Sequence, residues 1–156
     1  MSAEAFRVIL QRRDGAEAAA FPSVDLAGAY EAQKAAERAL VDARGWKAIG
    51  YKIGATNPAA RQSFGISEPF LGRLYREMTQ QSPGKITFKA GFHRALEAEY
   101  VIELARDLTE TDSAYDAAAI KAATAAVYPA IEVVGSVFPV GGPEGALGLI
   151  ADFGGH

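Results

Sequence analysis

The stretch RALEAEYVIEL, Arg94–Leu104, sets two glutamates, Glu97 and Glu99, two residues apart inside a run of apolar and aromatic side chains. Its Ala, Leu and Glu content permits a helix, but the alternation reads as a strand. In a strand, Glu97, Glu99, Val101 and Glu103 share one face, and Leu96, Ala98, Tyr100, Ile102 and Leu104 share the other. One outcome is an amphipathic strand with a solvated acidic face, as is common in antiparallel sheets. The other is that Glu97 and Glu99 aim two carboxylates at one point, where they repel unless a cation or a proton lies between them.

Glu132 favours the second outcome. It stands in YPAIEVVGSVF, Tyr128–Phe138, with apolar residues on both sides. A carboxylate buried there without a partner costs several kcal/mol. A Lys or Arg partner meets that need, and so does a divalent cation shared with Glu97 and Glu99. Three carboxylates in a chain with no cysteine suit a hard ion, Mg²⁺ or Mn²⁺, with positions left for water and substrate. Glu103, further along the same face, reads as the solvated member. Lys52 lies among apolar residues and glycines in IGYKIGAT, Ile49–Thr56. It reads either as an edge-strand lysine or as an ammonium group for acid-base work or for anchoring an anionic substrate. Gly50 and Gly54 beside it allow a ligand close to the backbone.

Composition narrows the classes. The 156 residues are enough for one ordinary domain, standing alone or as part of a larger unit, and 49% of them are hydrophobic. The net charge of −3, with its basic residues scattered, offers no footprint for nucleic acid or anionic lipid. The absence of cysteine excludes disulfides, thiolate metal sites and thiol nucleophiles. No leader-like start and no apolar run of about 18 residues is present, so a soluble cytoplasmic protein is expected. His93 and His156 lack metal-motif spacing. Ser63, Ser67 and Ser136 lack a nucleophile-elbow pattern, and the glycine-rich end lacks a P-loop lysine.

The spacing predicts a helix over Ala3–Arg13 and a second from a cap at Ser23 or Asp25 to Gly45, with an inner stripe of Leu26, Ala29 or Tyr30, Ala36 and Leu40. Residues 45–57 read as a strand, and Asn57-Pro58 opens a short helix through Gln62. An irregular segment follows, containing Gly65, Pro69 and Gly72. GKITFKAG, Gly84–Gly91, has strand character. SAYDAAAIKAATAAVY, Ser113–Tyr128, reads as a helix capped by Asp112 or Ser113, and Pro129–Phe138 as a buried strand. The end, GGPEGALGLIADFGGH, suggests no closing element and leaves a sheet edge to be covered.

The ordered set AYEAQ, GYKIGAT, FGISEPFLGRLY, LEAEYVIELARDL, PAIEVVGS and LIADFGG resembles the 2-keto-4-pentenoate hydratase group, which includes 4-oxalocrotonate decarboxylases, within the fumarylacetoacetate hydrolase superfamily. The likeness runs from about Tyr30 to the end. It implies an α+β fold, N-terminal helices followed by a mixed sheet that resembles a truncated fumarylacetoacetase-type β-roll. Residues 1–45 would be a helical segment and 46–156 a partial catalytic domain. By position, the resemblance makes Glu97, Glu99 and Glu132 the metal-binding carboxylates. Lys52, with Gly54 beside it, becomes the active-site lysine that contacts substrate, and Glu99 a catalytic acid-base group. The implied substrate is a 2-oxo acid or its dienol in aromatic-compound breakdown, with Mg²⁺ or Mn²⁺ as cofactor. Water addition, decarboxylation and hydrolysis of a carbon–carbon bond all remain open. The open sheet edge and glycine-rich end lead one to expect a homo-oligomer, and Phe70 together with a span shorter than that of family members gives the alternative of a non-catalytic chain acting as a partner enzyme subunit. Three departures stand out. Phe70 replaces an acidic residue common after the Pro of this segment, and Gly135–Val137 reads GSV where the family often has DSR. Family members also continue for roughly another hundred residues, a length consistent with larger single domains.

Overall fold

The computed structural model describes residues 2–15, 20–87, 93–111, 113–138 and 144–155. Contacts divide the chain into two compact units, one made of 1–94 and 134–156, the other of 95–133.

In the first unit, helix α1 (Ser2–Arg13) packs on α2 (Leu26–Arg44). Alanines make the close approach: Ala5, Ala29, Ala32 and Ala36 are all fully buried, beside Ile9 and Leu40. Asp25 caps α2 by accepting from the Gly28 N–H at 2.8 Å, and Gly45 ends it in the left-handed region at φ 64°, where a side chain would be strained. The expected stripe holds at Ala29, Ala36 and Leu40. Leu26 instead lies exposed at the first helical position, and Gln33 joins the buried face.

Strand β1 (Ala48–Gly54) follows, then α3 (Pro58–Phe64), capped by Asn57. Residues 70–75, expected to be irregular, form strand β2 (Phe70–Tyr75) instead. Pairing overrides the Pro and Gly signals here: β2 lies antiparallel to β1, with Lys52 opposite Gly72 and Gly54 opposite Phe70. Gly84–Thr87 adopts no strand, and the rest of the stretch expected to be one lies outside the described residues. The chain end also differs from expectation. Helix α5 (Gly145–Ala151) packs on α2 and buries Leu149, Ile150 and Ala151, so a closing element exists.

The second unit holds most of β3 (His93–Leu104), α4 (Ala117–Ala123) and most of β4 (Thr124–Ser136). The helix expected over 113–128 is reduced to the about two turns of α4, capped by Asp116. Beyond Ala123, the Thr124, Val127 and Tyr128 run pairs as strand, tertiary pairing outweighing alanine's helix preference. β3 and β4 pair with each other, and the Ala105 N–H donates to the Ala123 carbonyl at 2.8 Å. At the other end of the pair Arg94 lies against Gly135, so the strands run antiparallel. Among the described residues the sheets are therefore two separate antiparallel pairs, where the sequence suggested one mixed sheet. No described helix is long and apolar enough to cross a membrane.

Candidate metal centre

The alternation expected for Arg94–Leu104 is realised in β3, which turns Glu97 and Glu99 to one face. β4 brings Glu132 to the same place. Carboxylate oxygens of Glu97, Glu99 and Glu132 lie within 4.8 Å of one another, a grouping that could hold a metal ion. Three oxygens around Mg²⁺ at about 2.1 Å lie at most about 4.2 Å apart, and around Ca²⁺ at about 2.5 Å at most about 5 Å apart. The spacing thus matches a hard divalent ion directly or after a small side-chain rotation, and the all-oxygen donor set is what such ions select. Glu97 and Glu99 are exposed, whereas Glu132 is half-buried with its Oε1 closed off from solvent. Glu103 is exposed, as expected, and accepts from the Tyr128 hydroxyl at 2.6 Å. That hydrogen bond, with the carboxylate's charge, pushes the Tyr128 hydroxyl pKa up.

The opposite face of β3 is apolar and open: Leu96 is 70% and Tyr100 79% exposed. On β4, Ile131 is 66% exposed.

Lys52 belongs to the first unit. In β1 the usual pattern is inverted, since Ile49, Tyr51 and Ile53 face solvent while Gly50, Lys52 and Gly54 lie on the more covered side. Lys52 Nζ donates to the Gly154 carbonyl at 2.9 Å and stands 5.8 Å from the centre of the Phe70 ring. The Phe70 ring occupies the space beside Gly54 so fully that any Cβ there would collide with it. The wall next to Lys52 is therefore an aromatic ring where the family pattern leads one to expect a carboxylate. Gly135, the first residue of GSV, makes room for the Arg94 side chain, which lies where a Cβ at 135 would be. Burial lowers the Arg94 pKa, nearby Arg13 adds to this, and Asp152 opposes it.

The remaining sequence candidates have structural partners or lie out of view. Ser63 donates to the Ala60 carbonyl, and Ser67 is exposed. Buried Ser136 donates to Asp152 Oδ2. The His93 side chain and His156 lie outside what the structure describes. Sequence reasoning missed Asp152 and Arg13, which form a part-buried ion pair with the carboxylate fully enclosed. The available signal was one acid inside the apolar run LIADF, the same signal that singled out Glu132.

No protein-family model matches the chain. It is 36% identical over 113 residues to a TodF product hydratase of Pseudomonas putida F1, covering 72% of this chain and 41% of that protein. It is 33% identical over 117 residues to a 2-keto-4-pentenoate hydratase of Paraburkholderia phymatum, covering 75% of this chain and 44% of that one. The chain thus spans less than half the length of these curated relatives. Its fold matches that of 4-oxalocrotonate decarboxylase from Pseudomonas putida G7, solved with calcium and acetate, with a TM-score of 0.76 at 24% identity over 99% of this chain and 58% of that one. The same enzyme solved with magnesium and adipate gives a TM-score of 0.76 at 23% identity. Sequence and fold together place the chain's resemblance with part of the 2-keto-4-pentenoate hydratase and 4-oxalocrotonate decarboxylase group.

Proposed function

We propose that this chain carries the acidic metal site of a divalent-metal-dependent lyase that adds water to a 2-hydroxydienoate or 2-oxo-enoate in aromatic-compound breakdown. The observation that carries the reading is the convergence of Glu97, Glu99 and Glu132 within 4.8 Å. The hydratase relatives and the magnesium- and calcium-bound decarboxylase neighbours support it. In this reading the three carboxylates hold Mg²⁺ or Mn²⁺, and residues 46–156 supply the reactive groups on a helical support formed by 1–45. A bound divalent ion supplies Lewis-acid stabilisation of negative charge developing on a 2-oxo acid.

The chain's own residues do the rest. Lys52, a cation on the covered side of β1 with Gly54 beside it, attracts the substrate carboxylate and holds a proton at Nζ. In this reading Glu99, an exposed member of the carboxylate group, accepts a proton from a substrate carbon or a water. Phe70 keeps the wall near Lys52 apolar and offers no carboxylate for handling protons.

That wall favours decarboxylation of a 4-oxalocrotonate-type acid as the second reading, since loss of CO₂ needs an electron sink and no activated water. A third reading, a non-catalytic chain paired with a partner subunit, is favoured by Phe70, an aromatic ring beside Lys52 where a proton-handling carboxylate is expected. Oligomeric assembly through the open apolar face of β3 and β4 belongs to the proposal in each case.

The test is turnover of a 2-hydroxydienoate and of 4-oxalocrotonate by the wild type and by Glu99→Gln, with products separated by mass. Water addition or CO₂ release that Glu99→Gln abolishes while the fold is kept supports the lyase reading. Full turnover by Glu99→Gln sinks it, and absence of turnover in the metal-loaded wild type selects the non-catalytic reading.

A further inference from the structure

The segment Asp152–Gly155 contains three successive residues in the left-handed region: Phe153 at φ 57°, Gly154 at 73° and Gly155 at 88°. A phenylalanine there is unusual, and such backbone persists only where its surroundings over-determine it. The surroundings are on view. Asp152 is fully buried, and its two oxygens accept from Arg13 Nε at 2.5 Å, Ser136 Oγ at 2.8 Å and the Val137 N–H at 2.9 Å. The Phe153 ring is buried edge-on to Tyr75, with the Arg13 guanidinium 4.7 Å from its centre. Gly155 accepts from the Gly135 N–H at 2.7 Å. A Cβ on Gly154 would lie 3.2 Å from the backbone of Gly72, so the turn rests directly on β2.

This turn presents one carbonyl to a side chain that the functional reading uses. The Gly154 oxygen accepts from Lys52 Nζ at 2.9 Å. A lysine has four rotatable side-chain bonds, and its ammonium is only as well placed as the acceptor that holds it.

We propose that Asp152 is a positioning residue for Lys52: by gathering Arg13, Ser136 and Val137 around its carboxylate, it fixes the turn whose Gly154 carbonyl holds the Lys52 ammonium. The inference rests on the reading of Lys52 as the group that meets substrate. Asp152 acts at one remove, as a carboxylate clamp drawing together α1, the end of β4 and the segment after α5. Its removal frees the carbonyl and lets the ammonium wander, which costs rate more than binding. A misplacement of about 1 Å is enough to lower kcat on the order of a hundredfold.

The test uses the full chain with ¹⁵N-labelled lysine. The Lys52 Nζ ammonium signal is assigned by its loss in Lys52→Met. The wild type is then compared with Asp152→Asn, Ser136→Ala and Arg13→Lys, each checked for folding by its backbone amide spectrum. The expected result is that the Lys52 signal moves toward that of exposed lysines in Asp152→Asn, with hydrogen exchange at least about tenfold faster. A smaller move in the same direction is expected in Ser136→Ala. An unchanged Lys52 signal in folded Asp152→Asn overturns the proposal. Where Asp152→Asn does not fold, unchanged signals in both Ser136→Ala and Arg13→Lys overturn it. The functional reading is judged by a separate signal: full turnover by Lys52→Met refutes the role of Lys52 in the reaction, while a moved ammonium signal still upholds the coupling to Asp152.

Discussion

Replacing Gln33 with methionine tests how α2 holds the strand pair that carries Lys52. The Gln33 amide, 5% exposed, donates from Nε2 to the Leu71 carbonyl at 3.1 Å and to the Ile150 carbonyl at 2.6 Å. Three residues earlier the Tyr30 hydroxyl accepts from the Leu71 N–H at 3.1 Å. One turn of α2 therefore satisfies both backbone groups of a β2 residue, as a neighbouring strand would, and ties them to α5. Methionine fills nearly the same volume but donates nothing. The buried Ile150 carbonyl loses its short hydrogen bond and keeps the longer one from the Gly154 N–H at 3.3 Å, at a cost of about 1–3 kcal/mol; the part-buried Leu71 carbonyl recovers some of its loss from water and adds about 1 kcal/mol. The sum is about 2–4 kcal/mol. With a urea m-value of about 2 kcal/mol/M, the midpoint falls by about 1–2 M. Urea melts followed by circular dichroism read this directly. A shift under about 0.3 M at unchanged m would show that the bridge carries little of the fold, and the argument from unsatisfied carbonyls would fail.

Other perturbations separate the remaining parts. Asp25→Ala removes the cap of α2 and is expected to lower stability by about 1 kcal/mol in the same melts, whereas Asp25→Asn stays near wild type. Glu37 is half-buried, and burial raises its pKa against the opposing pull of Arg73, Arg38 and Lys34. The folded chain therefore holds that proton more tightly than the unfolded one, so stability falls as pH rises from the ordinary glutamate value through the raised one. Glu37→Gln removes this term, and its stability relative to wild type should improve between pH 4 and pH 7. A relative loss over that range refutes the assignment. Gly54→Ala should be destabilising by more than 1 kcal/mol, because its Cβ collides with the buried Phe70 ring, and a thermal melt equal to wild type would contradict that packing.

Much of the candidate site was legible because its signals are local. The period-two alternation of Arg94–Leu104 fixed which glutamates share a face, and a lone acid in an apolar run marked Glu132. Asp25 and Asn57 announced their helices through capping chemistry. Signals of long range were harder to read. β2 contains Gly72 and follows Pro69, which locally speak for a loop, yet pairing with β1 and the close approach of Gly154 to Gly72 demand a small residue inside a strand. The alanine-rich stretch before Tyr128 favours helix residue by residue, and only its pairing with β3 makes it strand. In α5, glycines masked a short helix whose stability comes from burying Leu149 and Ile150. The Asp152 clamp joins residues 139 positions apart, a distance over which no spacing rule operates.

The central claim is that Glu97, Glu99 and Glu132 bind a divalent cation in a form that accepts a 2-oxo acid. Calorimetry of Mn²⁺ binding to the full chain, with and without oxalate as a planar mimic of the substrate's enolate, tests it most directly. The account predicts one site whose affinity rises with oxalate, and loss of both binding and the oxalate effect in Glu97→Gln at unchanged fold. Absence of binding by the folded wild type, or equal binding by Glu97→Gln, would contradict it.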